Sequence, residues 1–259
     1  MEKTTKILAD SKQIKALVVG ATRGIGLEFC RFLLKDDRVE RLFCTHRTSP
    51  TTELLNLQKS YQQRVSLLQM DVTQEKQIES ALQEVGSSVD ALDLVIYCVG
   101  VLHDGDLTPE KSLRHLKSEN LLYSFQVNSI GAALLAKHLV PLLDRNKPGL
   151  FAGISAKVGS IGDNHLGGWY GYRASKAALN MFLRTIALEY RHRCPSTIVV
   201  SLHPGTTDTR LSEPFQENVP KDQLSSVRET VALLSGVMAN LEIEESGKFL
   251  SWSGNEIPW

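Results

Sequence analysis

The sequence predicts an α/β fold in which a parallel sheet is covered by helices on both faces. Short apolar runs, each as long as a buried strand, alternate along the chain with stretches of helical periodicity. This alternation continues through most of the 259 residues, and no internal repeat or linker interrupts it. Strands that alternate with helices form parallel βαβ units, and a chain of this length suits one domain over residues 1–259.

The predicted elements follow one another in regular order. Seven apolar runs are predicted strands, at residues 16–19, 41–45, 65–70, 92–99, 150–155, 197–202 and 248–252. Helical periodicity covers residues 27–34, 53–61, 74–86, 121–143, about 169–192 and 227–240. The segments 101–120, 156–168 and 206–220 are rich in polar residues, glycine or proline, which predicts loops.

Composition and charge exclude several functional classes. Basic and acidic residues balance at 29 each, so no net field favours nucleic acid or an anionic membrane surface. No apolar run is long enough to span a membrane, and the polar first residues lack a signal-peptide core. The four cysteines form no CxxC pair and the seven histidines share no ligand spacing. These patterns predict a reducing, cytoplasmic location and no metal site.

A glycine-rich turn, GATRGIG, joins the first predicted strand to the first helix. In this context glycine allows a tight turn and a close approach to a pyrophosphate, whose charge faces the N–H groups at the helix start. The turn therefore predicts a dinucleotide site that involves Gly20, Thr22, Arg23, Gly24, Ile25 and Gly26.

The second predicted strand ends without an acidic residue. An acid there would bind the ribose 2′-hydroxyl of NAD, whereas an arginine accommodates the 2′-phosphate of NADP. Arg47 follows this strand, and Arg23 lies in the glycine turn. The pattern favours NADPH over NAD, although Arg47 could instead be a solvated loop residue.

Tyr172 and Lys176 lie four residues apart in the segment WYGYRASKAALN. Helical residues at this spacing share a face, so a phenol and an ammonium can meet over one turn. A nearby positive charge favours the phenolate and lowers a pKa that is otherwise about 10. Such a pair can exchange a proton with an oxygen. Spacing alone favours an ordinary pair on a half-exposed helix, and the motifs in the rest of the chain reverse that preference.

These motifs together resemble the short-chain dehydrogenase/reductase family over nearly the whole chain. GATRGIG resembles the family's TGxxxGIG cofactor loop, with Val19 in place of the threonine, and Tyr172 and Lys176 match its YxxxK motif. Within the family, the stretches SAKVGSI, GGWY and GNEIPW are similar to the C-factor-like and sniffer-like reductases. The resemblance implies a Rossmann-type doubly wound sheet of about seven strands in three α/β/α layers. It also implies a homodimer or homotetramer.

The resemblance assigns further roles. Lys176 would also bind the ribose hydroxyls of the nicotinamide half, and Asn128 would hold a water that links Lys176 to solvent, although Asn128 could simply face solvent. The remaining cofactor contacts implied are Asp71 and Val72 at the adenine, Val99 and Gly100 at the end of the fourth strand, Pro204 and Gly205 beside the nicotinamide, and Thr206 and Thr207.

Two motifs depart from the family pattern. The NNAG motif is replaced by Tyr97-Cys98-Val99-Gly100, and Ala156 stands where the ISSxxG motif has its catalytic serine. Neighbouring strand residues point to opposite faces, so Ser155 can act only if the strand end is irregular. Ser155 is the favoured candidate, with Ser160 or no serine as the alternatives.

The sequence therefore predicts an NADPH-dependent carbonyl reductase, or in reverse an alcohol dehydrogenase, with a small-molecule substrate. The alternative is an NADP-binding signalling or regulatory protein with weak or no turnover. Substrate is expected against the segments 156–168 and 206–220 and His103. Trp169 and Phe215 either line an apolar pocket or pack in the ordinary way, and His165 is either a substrate contact or a surface residue.

Overall fold

A computed structural model describes residues 11–217, 219–220 and 223–259. Residues 1–10 of the predicted domain lie outside this part, as do residues 218, 221 and 222. The strands are β1 Ile14–Val19, β2 Val39–His46, β3 Val65–Gln69, β4 Leu94–Tyr97, β5 Gly149–Ile154, β6 Thr197–His203, β7 Thr206–Thr207, β8 Leu224–Ser225 and β9 Phe249–Ser251. The helices are α1 Gly24–Leu33, α2 Thr52–Tyr61, α3 Glu75–Ser88, α4 Ser118–Phe125, α5 Gly131–Leu139, α6 Tyr170–Arg193 and α7 Val227–Ala239.

Seven strands form one parallel sheet in the order β3-β2-β1-β4-β5-β6-β9. The strand order reverses between β1 and β4, which creates a crevice at the carboxyl ends of the strands. The predicted Rossmann-type doubly wound sheet is confirmed. Strands β7 and β8 form a separate two-stranded parallel sheet. Strand β7 lies within the segment predicted as a loop, and β8 follows that segment.

Two apolar layers hold the helices against the sheet. On one face, Phe29 of α1 and Leu234 of α7 are fully buried against the strands. On the other face, the buried residues include Ile78 of α3, Leu135 of α5 and Leu183 of α6. The central strands are buried on both sides, which explains why they appear in the sequence as continuous apolar runs.

The predicted helix at 121–143 is interrupted. A π-helical turn, Gln126–Ile130, separates α4 from α5, and a short 3₁₀ turn, Val140–Leu142, follows. The π turn is anchored from outside, because the buried Tyr97 hydroxyl donates a hydrogen bond of 2.9 Å to the Val127 carbonyl. Single π turns inside helices often mark functional sites, and this one contains Asn128.

None of the helices in the described part of the chain is both long and apolar enough to cross a membrane. Among the same residues, no three His, Cys, Asp or Glu side chains cluster as metal ligands would.

Candidate active site

The glycine turn is folded tightly between β1 and α1. Gly20 has φ +84, and its N–H donates to Thr45 Oγ1 at 3.0 Å. A Cβ on Gly26 would overlap the Gly20 carbonyl oxygen and lie 3.2 Å from Cys98 Cβ. The first N–H groups of α1 have no partners within the helix, so this turn can hold an anionic pyrophosphate. Sequence reasoning missed Thr45, whose only signal is a threonine at the end of β2.

Two exposed cations flank this cradle. Arg23 is the N-cap residue of α1, and Arg47 follows β2, where its guanidinium donates to the Tyr123 hydroxyl at 3.2 Å. The last residue of β2 is His46 and not an aspartate or glutamate. Burial lowers the pKa of this histidine. Thr22 lies in the same turn, and its carbonyl oxygen accepts from Thr51 Oγ1 at 3.3 Å, which connects the turn to the N-cap of α2.

The residues expected at the adenine lie after β3. Asp71 Oδ1 accepts from the Thr73 N–H at 2.9 Å and from the Thr73 hydroxyl at 2.8 Å, which fixes the turn. Val72 is buried, and a Cβ on Gly131 would lie only 2.8 Å from its Cβ. This close packing holds the turn after β3 against the start of α5.

The Tyr172–Lys176 pair lies at the start of α6. Lys176 is buried, its Nζ donates to the Ile154 carbonyl at 2.9 Å, and Nζ lies 5.8 Å from the centroid of the Tyr172 ring. Burial lowers the pKa of Lys176 to about 8 and raises the pKa of the Tyr172 phenol above its usual range. The tyrosine shift has the opposite sign to the sequence-based expectation, because burial dominates.

Asn128 connects α6 to the loop that follows β4. Its amide nitrogen donates to the Val101 carbonyl and to Ser175 Oγ, both at 2.9 Å, and its Oδ1 accepts from the Val101 N–H at 2.7 Å. Ser175 in turn donates to the Tyr172 carbonyl at 2.9 Å. Asn128 is fully buried and does not face solvent. Its visible contacts position the backbone on either side of the crevice.

The candidate serines are both buried. Ser155 follows β5 directly and donates to Asn180 Oδ1 at 2.6 Å. The Ser160 hydroxyl accepts from the Asp163 N–H at 3.1 Å and closes the turn beyond it. Ala156 has extended backbone dihedral angles and is half-buried between them. Ser155 thus hydrogen-bonds to the helix that carries Tyr172, whereas Ser160 Oγ accepts its hydrogen bond from its own loop.

The remaining cofactor candidates surround the same crevice. A Cβ on Gly100 would lie 3.4 Å from Lys176 Nζ, and one on Gly20 would lie 2.9 Å from Val99 Cγ2. Gly205 turns after Pro204 with φ +76, and a Cβ on it would lie 3.0 Å from Trp252 Cδ1. Thr206 is exposed, whereas Thr207 is buried and contacts Thr230 Oγ1 at 2.9 Å.

Aromatic rings gather beside Tyr172. The Trp169 ring lies 6.3 Å from the Tyr172 ring and 4.9 Å from the Phe215 ring, which lies 6.0 Å from His103. His103 also contacts the Arg210 carbonyl at 3.0 Å. These contacts join the segment after β7 to the start of α6. His165 is exposed and takes no part in this group of rings.

The chain is similar to known oxidoreductases along most of its length. The model of the short chain dehydrogenase family matches residues 15–220. An uncharacterized oxidoreductase of Schizosaccharomyces pombe is 27% identical over 93% of this chain and 96% of its own. The C-signal protein of Myxococcus xanthus is 32% identical over 52% of this chain and 76% of its own.

Two solved structures superpose closely. An NADPH-bound carbonyl reductase from chicken fatty liver has a TM-score of 0.83 at 29% identity, covering 95% of this chain and all (100%) of its own. The carbonyl reductase Sniffer of D. melanogaster has a TM-score of 0.84 at 23% identity, with the same coverage of 95% and 100%, and supports the fold alone. The predicted similarity to C-factor-like and sniffer-like reductases is confirmed by C-signal and by a Sniffer structure of Caenorhabditis elegans, which has a TM-score of 0.77 at 25% identity over 96% of this chain and 100% of its own. The chain therefore belongs to the short chain dehydrogenase family and is an oxidoreductase.

Proposed function

We propose that this protein is an NADPH-dependent carbonyl reductase that runs in reverse as an alcohol dehydrogenase. The observation that carries the proposal is that Lys176 Nζ, one helical turn from Tyr172, lies 3.4 Å from the Cβ position of Gly100, whose neighbour Val99 packs against Gly20 of the glycine turn. Support comes from the chicken carbonyl reductase and from a yeast relative named benzil reductase. The yeast protein, from Saccharomyces cerevisiae, is 29% identical over 78% of this chain and 75% of its own.

The nicotinamide dinucleotide supplies the hydride when it is bound. Tyr172 donates its phenolic proton to the carbonyl oxygen as that oxygen gains negative charge. Because burial raises the pKa of this phenol, Tyr172 keeps its proton at neutral pH, as a general acid for reduction must. The Lys176 ammonium, 5.8 Å from the ring, then stabilises the phenolate that remains.

Asn128 and Lys176 form the proposed path for the proton that returns to Tyr172. Asn128 Oδ1 and Lys176 Nζ both lie beside Gly100, at 3.6 and 3.4 Å from the position of a Cβ there. A carbonyl oxygen has two lone pairs, and only one of those on Oδ1 is used by the Val101 N–H. The other can hold a water next to the ammonium.

The test of this function is turnover. With a panel of aldehydes, ketones and quinones, the protein should catalyse the oxidation of NADPH, measured as a fall in NADPH absorbance. The rate should depend on Tyr172. The alternative is a signalling role, which the similarity to C-signal suggests. Tight NADPH binding without turnover of any substrate in the panel would support that alternative and contradict the reductase.

We propose that Arg47 and Arg23 select NADPH over NADH. Replacing both arginines by alanine should weaken NADPH binding by roughly 100-fold and leave NADH binding within about threefold, because only NADPH carries the 2′-phosphate. Dissociation constants from cofactor fluorescence measure both effects. Arg31→Ala, also an exposed arginine of α1, is the matched control and should change neither constant. Tighter binding of NADH than NADPH by the native protein would contradict the assignment.

We propose that the Ser155 hydroxyl donates a hydrogen bond to the substrate oxygen after the Asn180 side-chain amide has rotated. The buried Asn180 Nδ2 has no hydrogen-bond partner among the described residues, while Oδ1 takes the Ser155 proton. A rotation of the amide by about 180° would make Nδ2 the donor to Ser155 and free the hydroxyl proton for the substrate.

Ser155→Ala should therefore lower kcat by about tenfold or more through loss of this transition-state hydrogen bond. Ser160→Ala is the matched control and should stay within about threefold of the native rate. If Ser160→Ala loses more activity than Ser155→Ala, the hydrogen bond to the substrate oxygen comes from Ser160. If neither loses activity, the reaction uses no serine.

We propose further that the protein is a homodimer or homotetramer that associates through the outer faces of α4 and α6. Leu122 of α4 and Met181, Phe182 and Leu188 of α6 are exposed apolar side chains on these helices. Contiguous exposed apolar surface is typical of interaction sites. Light scattering that gives the 28.7 kDa mass of a single chain at micromolar concentration would contradict this proposal.

We place the protein in a reducing, cytoplasmic compartment. All four cysteines are free, and the Cys30 and Cys44 thiols share a hydrogen bond of 3.4 Å in the core without a disulfide between them. Adjacent thiols of this kind persist where the surroundings are reducing. Isolation of the native protein from cells with these two cysteines oxidised to a disulfide would contradict the placement.

A further inference from the structure

Glu110 is a buried acid outside the predicted site residues. It lies in the segment between β4 and α4, and only 3% of its surface is exposed. Its carboxylate Oε2 accepts from the Gly171 N–H at 3.1 Å, and its backbone carbonyl accepts from the Trp169 N–H at 2.6 Å. One residue thus binds the chain on both sides of Tyr170, where α6 begins.

The start of α6 needs such a partner from elsewhere in the chain. Its N-cap residue is Trp169, which has φ +51 and makes no side-chain capping bond. The first N–H groups of a helix have no partners within the helix and require an acceptor. Gly167 and Gly168 also have positive φ, +67 and +66, so three successive residues adopt left-handed conformations just before the helix. For a tryptophan this conformation is strained, and it persists only when neighbouring contacts hold it.

Gly171 and Arg173 complete the arrangement. A Cβ at Gly171 would lie 2.9 Å from Glu110 Oε1 and 3.2 Å from Leu121 Cδ2, so glycine leaves the space that the carboxylate occupies. From the other side, Arg173 Nε donates to the carbonyls of Gly168 at 3.1 Å and Gly167 at 3.2 Å. The left-handed turn is therefore held between a carboxylate and a guanidinium.

We propose that Glu110 is a positioning residue that fixes the first turn of α6 and thereby the places of Tyr172 and Trp169. The inference rests on the proposed function of Tyr172. Gly171, whose N–H the carboxylate binds, is the neighbour of Tyr172 in the chain. Trp169, which the Glu110 carbonyl binds, lies beside the Tyr172 ring. A displacement of about 1 Å at a reacting group can cost roughly 100-fold in rate. Loss of the Glu110 hydrogen bond, which would let this turn move, should therefore lower the rate of proton transfer from Tyr172.

The test compares two substitutions at Glu110 with one at a second helix cap. Glu110→Ala removes the acceptor and should lower kcat by about 30-fold, with the dissociation constant for NADPH unchanged within about threefold. Glu110→Gln keeps an acceptor oxygen of the same shape and should restore kcat to within about fivefold of the native value. Glu229→Ala is the matched control, because Glu229 completes the capping box of α7. It should lower the melting temperature without changing kcat.

Amide hydrogen exchange measures the turn itself, without reference to activity. In Glu110→Ala, the amides of Trp169 and Gly171, the two that Glu110 binds, should exchange at least about tenfold faster than in the native protein, while those at the start of α7 stay unchanged. Should Glu110→Ala fail to fold, Gly171→Ala displaces the same carboxylate without removing it. That variant should show the same faster exchange and the same loss of kcat.

Two results would overturn the proposal. One is native kcat in Glu110→Ala together with a lowered melting temperature, as in Glu229→Ala, which would make Glu110 a structural cap only. The other is unchanged amide exchange at Trp169 and Gly171. If Tyr172→Phe proves active, the proposed function fails instead, and the exchange result still decides whether Glu110 holds the turn.

Discussion

Replacing Tyr172 by phenylalanine should lower kcat for carbonyl reduction by roughly 1,000-fold. Phenylalanine keeps the ring, and with it the contact with Trp169 at 6.3 Å, but removes the only proton that this side chain can donate. The alkoxide would then form without a general acid, because the Lys176 ammonium is already hydrogen-bonded to the Ile154 carbonyl. The measurement is the rate of NADPH oxidation with a saturating ketone.

The dissociation constant for NADPH should change by less than about threefold in Tyr172→Phe, because the phosphates are expected at the glycine turn and not at the phenol. Tyr170→Phe is the matched control, since Tyr170 lies on the same turn of α6 and is exposed. It should keep the native kcat. Near-native turnover by Tyr172→Phe would remove the central residue from the proposed mechanism.

The spacing of Tyr172 and Lys176 could be read from the sequence, but their protonation could not. Four residues within a helix fix a shared face, and that placement is local. The pKa values depend on burial, which the fold supplies: burial lowers the pKa of Lys176 to about 8 and raises the pKa of Tyr172. A charge pair inferred from spacing alone therefore gave the wrong sign for the tyrosine.

Contacts between distant segments set the limit of the sequence-based prediction. The alternation of strands and helices was sufficient for the layers and for the parallel sheet, because hydrophobic periodicity is a local signal. The π turn at Asn128 depends on Tyr97, about 30 residues earlier, and was predicted as uninterrupted helix. Glu110 lies 61 residues before Gly171, in a segment predicted only as loop. No local pattern identifies an acid that caps a helix so far along the chain.

A substitution of Gly26 by alanine should abolish the cofactor cradle. The new methyl group would overlap the Gly20 carbonyl oxygen, a backbone atom that cannot rotate away, and would lie 3.2 Å from Cys98 Cβ. Gly20 is itself fixed by its hydrogen bond of 3.0 Å to Thr45, so the turn and α1 must move apart. Because the pyrophosphate is expected against this turn, the dissociation constant for NADPH should rise by at least about 100-fold. Overpacking should also cost about 1–3 kcal/mol of unfolding free energy.

Gly236→Ala is the matched control for this prediction, because Gly236 lies inside α7 and a Cβ there meets nothing within 4 Å. Alanine is favoured over glycine in helices by about 1 kcal/mol, so this variant should be slightly more stable than the native protein and bind NADPH equally well. Titration of NADPH fluorescence and urea unfolding of both variants measure the two effects separately. If Gly26→Ala binds NADPH with native affinity, the cofactor does not lie against this turn. Loss of affinity in Gly236→Ala as well would mean that the effect of Gly26→Ala is not specific to the cradle.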